Sequence, residues 1–161
     1  MIKKFAVVVA GLIAVTALVA GCGSGDDESG TSTSSLTKAE FIKQANSICT
    51  QGNKDINTGF EEFSKENDLD ETKEPPKPVQ EEAVETILIP AINRQIEEVR
   101  ALGTPEGDDG QLEEVITAEE EAIAEGEEDP LKLFETTAKQ REANKMARDY
   151  GLTVCGSESE G

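Results

Sequence analysis

The 161-residue chain has no histidine and no tryptophan, and its aromatic side chains are five phenylalanines and one tyrosine. Without imidazole, a serine or cysteine nucleophile must take Lys, an acid or the chain terminus as its base. No Gly-x-Ser-x-Gly spacing is present. Paired carboxylates of the glycosidase kind are available, but one Tyr and no Trp leave little to stack a sugar ring. Basic charge is scarce as well. Fifteen Lys and Arg face 34 Asp and Glu, for a net charge of −19, which repels phosphate backbones and argues against a nucleic-acid partner. The acids lack the alternating Asp/Asn pattern and central glycine of an EF-hand loop, so Glu119-Glu120-Glu121 and the acids from Glu125 to Asp129 read as a solvated face and not as a metal site. The sequence thus predicts a non-enzyme with no catalytic residue, no cofactor and no metal.

Long hydrophobic runs are nearly absent too. The single one, Phe5 to Ala20, follows Lys3 and Lys4 and is marginal for a spanning helix, which needs about 20 apolar residues. Basic start and apolar run together read as a secretory signal peptide over 1–21. The segment Leu18-Val19-Ala20-Gly21-Cys22 that closes it resembles the lipobox of bacterial lipoproteins. That resemblance implies cleavage before Cys22, diacylation of its thiol and a lipid anchor on the outer face of the cytoplasmic membrane. After Cys22, residues 23–35 are Gly, Ser, Thr and acid, so 22–35 read as a flexible tether with a reach of roughly 20 Å. Of the three cysteines, Cys49 and Cys155 remain as an even pair outside the reducing cytosol, and we expect a disulfide between them. It would close a loop of about 106 residues, worth roughly 4–5 kcal/mol in the chain-entropy picture. The alternatives are two free thiols or a two-thiolate metal pair, and two thiolates alone make a poor zinc site.

From Leu36 onward the apolar spacing is helical. Thr37 and Glu40 have capping-box spacing, with Leu36 and Phe41 as a hydrophobic staple. Phe41, Ala45, Ile48, Cys49, Ile56, Phe60 and Phe63 then form a stripe to about Glu66, interrupted by Gly52 and Gly59. Pro75, Pro76 and Pro78 make an exposed linker. A second helix is expected from about Val79 to Leu102, kinked or broken at Pro90, which cannot donate to the Thr86 carbonyl. A third follows Asp108 or Asp109 as N-cap and ends near Gly126. A fourth is expected to open at Asp129-Pro130 and run to Tyr150 with Phe134 on its inner stripe and Gly151 as its C-cap. The fold class is all-α: a small four-helix bundle over 36–156 with a kinked second helix and one disulfide, followed by a disordered tail, 157–161.

Three stretches carry a wider resemblance. They are Lys38-Ala39-Glu40-Phe41-Ile42 leading to Asn46-Ser47-Ile48-Cys49, Pro90 through Arg100-Ala101-Leu102-Gly103, and Ala143-Asn144-Lys145-Met146-Ala147 leading to Tyr150-Gly151-Leu152-Thr153-Val154-Cys155-Gly156. With them the chain resembles a group of small uncharacterised envelope lipoproteins of Actinobacteria. The resemblance implies an extracytoplasmic helical domain with one disulfide and transfers no catalytic residue.

Polar side chains near the apolar stripes are the remaining candidates. Arg94 and Arg141 have the chemistry to hold a carboxylate or phosphate inside the bundle, beside a pocket opened at Pro90, with Asn46, Asn93 and Asn144 nearby. The bland alternative is that they pair with the abundant acids or cap carbonyls. The function expected is a lipid-anchored binding or interaction module of the cell envelope, its partners the membrane through Cys22 and an envelope protein. The alternative is a small-ligand or cation site between helices. A pocket between helices would favour the ligand, and an exposed apolar patch the protein partner.

Overall fold

A reciprocal pair of hydrogen bonds opens the first helix. Thr37 Oγ1 accepts the Glu40 N–H at 3.3 Å, and the Glu40 carboxylate accepts the Thr37 N–H at 3.1 Å, the capping box that the sequence predicts. From it α1 (Lys38–Glu66) runs without interruption through Gly52 and Gly59. The structure, a computed structural model, describes residues 35–70 and 72–157. The expected signal peptide, Cys22, the tether up to residue 34 and the tail from residue 158 lie outside them.

The second rod joins α2 (Lys77–Ala83), a π-helical turn (Val84–Leu88) and α3 (Ile89–Ala101) end to end. Its start is at Lys77, ahead of the expected Val79, because Pro78 falls in the first turn, where the missing N–H has no intrahelical partner to lose. Pro90 does not break the rod. The strain of a missing donor and a bulky ring is met one turn earlier, where the helix widens and the Ile89 N–H reaches back five residues to the Val84 carbonyl.

The connection to α4 (Gln111–Glu128) departs from expectation by a residue or two. Gly110 is the N-cap at φ 93°, a left-handed value that a side chain would strain. Asp108 still serves the helix from behind it, its Oδ2 accepting the N–H groups of Gly110 and Leu112, both at 3.3 Å.

The larger correction falls after α4. Asp129-Pro130 opens a short 3-10 turn (Pro130–Leu133) and not the fourth helix. That helix, α5 (Ala138–Tyr150), begins at a second capping box, in which Thr137 Oγ1 accepts the Gln140 N–H at 3.2 Å and the Gln140 amide oxygen accepts the Thr137 N–H at 2.8 Å. The Thr137 side chain offers the backbone an alternative to continued helix, and the chain takes it. Phe134 therefore never joins the inner stripe. It is 51% exposed and lies beside Phe60, ring centres 6.5 Å apart. At the other end α5 closes as expected. Gly151, at φ 113°, donates to the Arg148 carbonyl and Leu152 to that of Ala147, the paired bonds of a Schellman ending, with buried Leu152 supplying its apolar contact.

Among the described residues there are helices and turns and no strand, so the fold is a small all-α bundle. Its core gathers at one end. Phe41, Ala45 and Cys49 of α1 meet Val99 of α3, Leu112, Val115 and Ile116 of α4, Ala147 and Tyr150 of α5, and Leu152. Phe41 is fully buried and meets the Tyr150 ring edge-on at 6.3 Å, burial worth about 1.5–3 kcal/mol. The Cys49–Cys155 disulfide is present, with Cα atoms 5.2 Å apart and a sequence separation of 106. Asn46 secures the same junction with both ends of its amide, donating to the Gly151 carbonyl at 3.1 Å and accepting the Val154 N–H at 2.8 Å.

Candidate functional site

Beside that core lies a cavity of about 410 Å³, within the range of small-molecule sites. Glycines bring its walls together. A Cβ on Gly52 would lie 2.2 Å from Gln95 Cδ, so the bare face of α1 is what lets the Gln95 side chain of α3 lie across it. A Cβ on Gly59 would lie 2.7 Å from Ile87 Cγ2, so the π turn packs directly on α1. Both glycines are thus close-packing positions.

The apolar wall is Ile56 of α1, Leu88 of the π turn, Ile92 of α3, Ala122 and Ile123 of α4, and Leu133. The polar residues of the lining are Asn53, Asn57, Gln95, Gln140, Asn144, Thr136 and Ser157, with one acid, Glu119. Cys155 also lines the cavity, so the disulfide lies between the packed end of the bundle and the hollow one.

Glu119 is the unusual member of this set. Its Oε1 is a buried side-chain oxygen with no hydrogen-bond partner among the described residues. Burial without compensation pushes its carboxyl up to about 7. Among the described residues no Lys or Arg lines the cavity, and no other acid does. A lone carboxyl in a half-apolar chamber is held ready for a cation or a hydrogen-bond donor, and leaving such a group unpaired costs free energy.

Of the five polar residues singled out in the sequence, Asn46, Asn93, Arg94, Arg141 and Asn144, only Asn144 is in the cavity wall. Arg94 lies half-exposed on α3, its Nη2 2.9 Å from Asp55 Oδ2 and its Nε 3.9 Å from Glu98. Arg141 is exposed and donates to the Thr136 carbonyl, closing the turn ahead of α5. Both cations thus meet the abundant acids or a carbonyl. One spacing passed over in the sequence, Ser35-x-x-Lys38, does not assemble a nucleophile and base: Ser35 Oγ donates to Glu106 and Lys38 Nζ lies 4.1 Å above the Tyr150 ring.

The helical period carries the signal for Glu119 and Gln95. Leu112, Val115, Ile116, Glu119, Ala122 and Ile123 fall on one face of α4, which places Glu119 on the inner stripe despite its acidic neighbours Glu120 and Glu121. Gln95 occupies the same kind of position between Ala91 and Val99.

A more open groove of about 450 Å³ runs between α4 and α5, lined by Glu113, Glu114, Glu121 and Glu142 with Lys139. Lys139 pairs with Glu125 at 3.4 Å, and the groove reads as part of the solvated acidic face. Among the described residues no group of three or more His, Cys, Asp or Glu side chains is placed to hold a metal ion, and no helix is long and apolar enough to cross a membrane. Compared with known proteins, the chain matches no family, no curated protein and no solved structure.

Proposed function

We propose that this protein is a lipid-anchored, extracytoplasmic binding module of the bacterial envelope whose cavity takes a small molecule. One observation carries the ligand reading: the cavity among α1, the π turn, α3, α4 and α5 is lined by Glu119, which has a buried carboxyl oxygen with no partner among the described residues. The protein-partner alternative calls for an exposed apolar patch. Phe134, beside Phe60, is the large hydrophobic side chain exposed among the described residues, which is less than such a patch. The anchor part of the proposal rests on the lipobox resemblance at Leu18–Cys22.

A thermal-shift panel of neutral, cationic and anionic small molecules, run on the full-length oxidised protein, tests the ligand reading. A ligand at a hundred times its Kd adds about 2.7 kcal/mol, a shift of several degrees at this size. The expected result is a selective, saturable shift that is lost on Asn57→Trp, at the exposed rim, and kept on Arg94→Ala, outside the cavity. A flat panel overturns the ligand reading and turns the search to cross-linking of a protein partner in intact cells. For the anchor, Cys22→Ala should abolish metabolic acyl labelling; unchanged labelling would overturn it.

A further inference from the structure

We infer that the cavity selects a small organic cation, an apolar amine whose ammonium group pairs with Glu119 while its hydrocarbon lies against Ile56, Leu88, Ile92 and Ile123. The inference rests on the cavity being a ligand site and names the class of ligand.

Three observations lead to it. The first is the charge inventory of the wall. Among the described residues Glu119 is its single titratable group, and the other polar side chains of the lining are the amides of Asn53, Asn57, Gln95, Gln140 and Asn144 and the hydroxyls of Thr136 and Ser157. An anionic ligand would meet a carboxylate with no cation to offset it. The second is the state of that carboxylate: Oε1 is buried and lacks a donor, whereas a structural buried acid is ordinarily held by an Arg, a Lys or backbone N–H groups. An ammonium group brings three donors and the missing charge. The third is the balance of the wall, which is half hydrocarbon. A metal ion would find one carboxylate and no second hard anionic ligand, too few for calcium or magnesium. An organic cation uses both halves. The net charge of −19 adds a field that draws cations toward the domain and repels anions.

Matched probes of one shape separate the possibilities: cyclohexylmethylamine, cyclohexylmethanol and cyclohexanecarboxylate, titrated calorimetrically into the full-length protein and mapped by amide NMR shifts. The amine is expected to bind about tenfold or more tighter than the alcohol, a difference of about 1.4 kcal/mol, with shifts at cavity-lining residues and no binding of the carboxylate. Glu119→Gln, which keeps shape and loses charge, should erase the preference, while Glu121→Gln on the outer face of α4 should preserve it. With Glu119 titrating near 7, amine affinity should fall about a hundredfold from pH 8 to pH 5 in the native protein and stay flat in Glu119→Gln. Equal binding of amine and alcohol at the cavity overturns the cation inference and leaves the cavity as a site for neutral ligands. Amine binding that survives Glu119→Gln overturns it in favour of the acidic surface. Absence of any shift at cavity residues with all three probes overturns the ligand reading itself.

Discussion

Tyr150 Oη donates to Asp108 Oδ1 at 2.9 Å, and the second oxygen of the same carboxylate receives the N–H groups of Gly110 and Leu112. One acid thus caps the start of α4 and fastens the end of α5. Burial first, and Asp108 second, raise the Tyr150 hydroxyl above its ordinary range, so it stays protonated and donating across physiological pH.

Tyr150→Phe keeps the edge contact with Phe41 and removes only this hydrogen bond. The expected cost is about 1.5–3 kcal/mol, because the acceptor is charged and half-buried. Urea denaturation measures it, and an unchanged midpoint would show that the bond contributes nothing.

Gly52→Ala should destabilise, although alanine is the better helix former by up to about 1 kcal/mol. The added methyl meets Gln95 within 2.2–2.5 Å, and overpacking of this kind costs about 1–3 kcal/mol. Gln95→Ala in the same background should return most of the loss. Additive effects of the two substitutions would mean that they do not touch.

Glu119 gives stability a particular pH dependence. Its carboxyl ionises near 4.5 in the unfolded chain and near 7 when folded. The contribution is therefore fully present below pH 4.5 and is lost as the pH rises through 7. Ionising the buried group costs about 3 kcal/mol. Glu119→Gln should match the native protein near pH 4.5 and exceed it in stability at pH 8. Parallel curves for the two proteins would refute the raised value.

Reducing the disulfide, or replacing Cys49 and Cys155 together by alanine, should lower stability by roughly 4–5 kcal/mol, read as the difference between denaturation curves with and without reductant. The Asn46 amide still spans the junction in both forms, so its bonds to Gly151 and Val154 cancel in the comparison.

Helix identity was legible wherever a polar cap preceded a periodic stripe. Thr37 and Glu40, the stripe of α4 and the glycine ending at Gly151 all behave as their spacing demands. Boundaries failed where two terminators competed. Asp129-Pro130 has the form of a helix start, but Thr137 and Gln140 form the stronger one, and the residues between them adopt a tight turn that exposes Phe134. Pro90 announced a disturbance without saying what kind, because a π turn depends on the packing of Ile87 against Gly59 and not on local preference alone. The cavity was partly visible. Asn144 was singled out, but Arg94 and Arg141 attracted attention by their charge and turned outward to Asp55 and the Thr136 carbonyl. Glu119 was concealed by the acids beside it, even though its register with Val115 and Ala122 marks it as inward-facing.

The bridge between residues 49 and 155 makes most of the folded chain a covalent ring. A single cut inside that ring, at the proline-rich stretch between α1 and α2 for example, opens the circle without separating the two peptides. A protease cutting there would leave the nicked halves joined at the sulfur atoms. Shedding any part of that ring, residues 49–155, requires a second cut or a reductant.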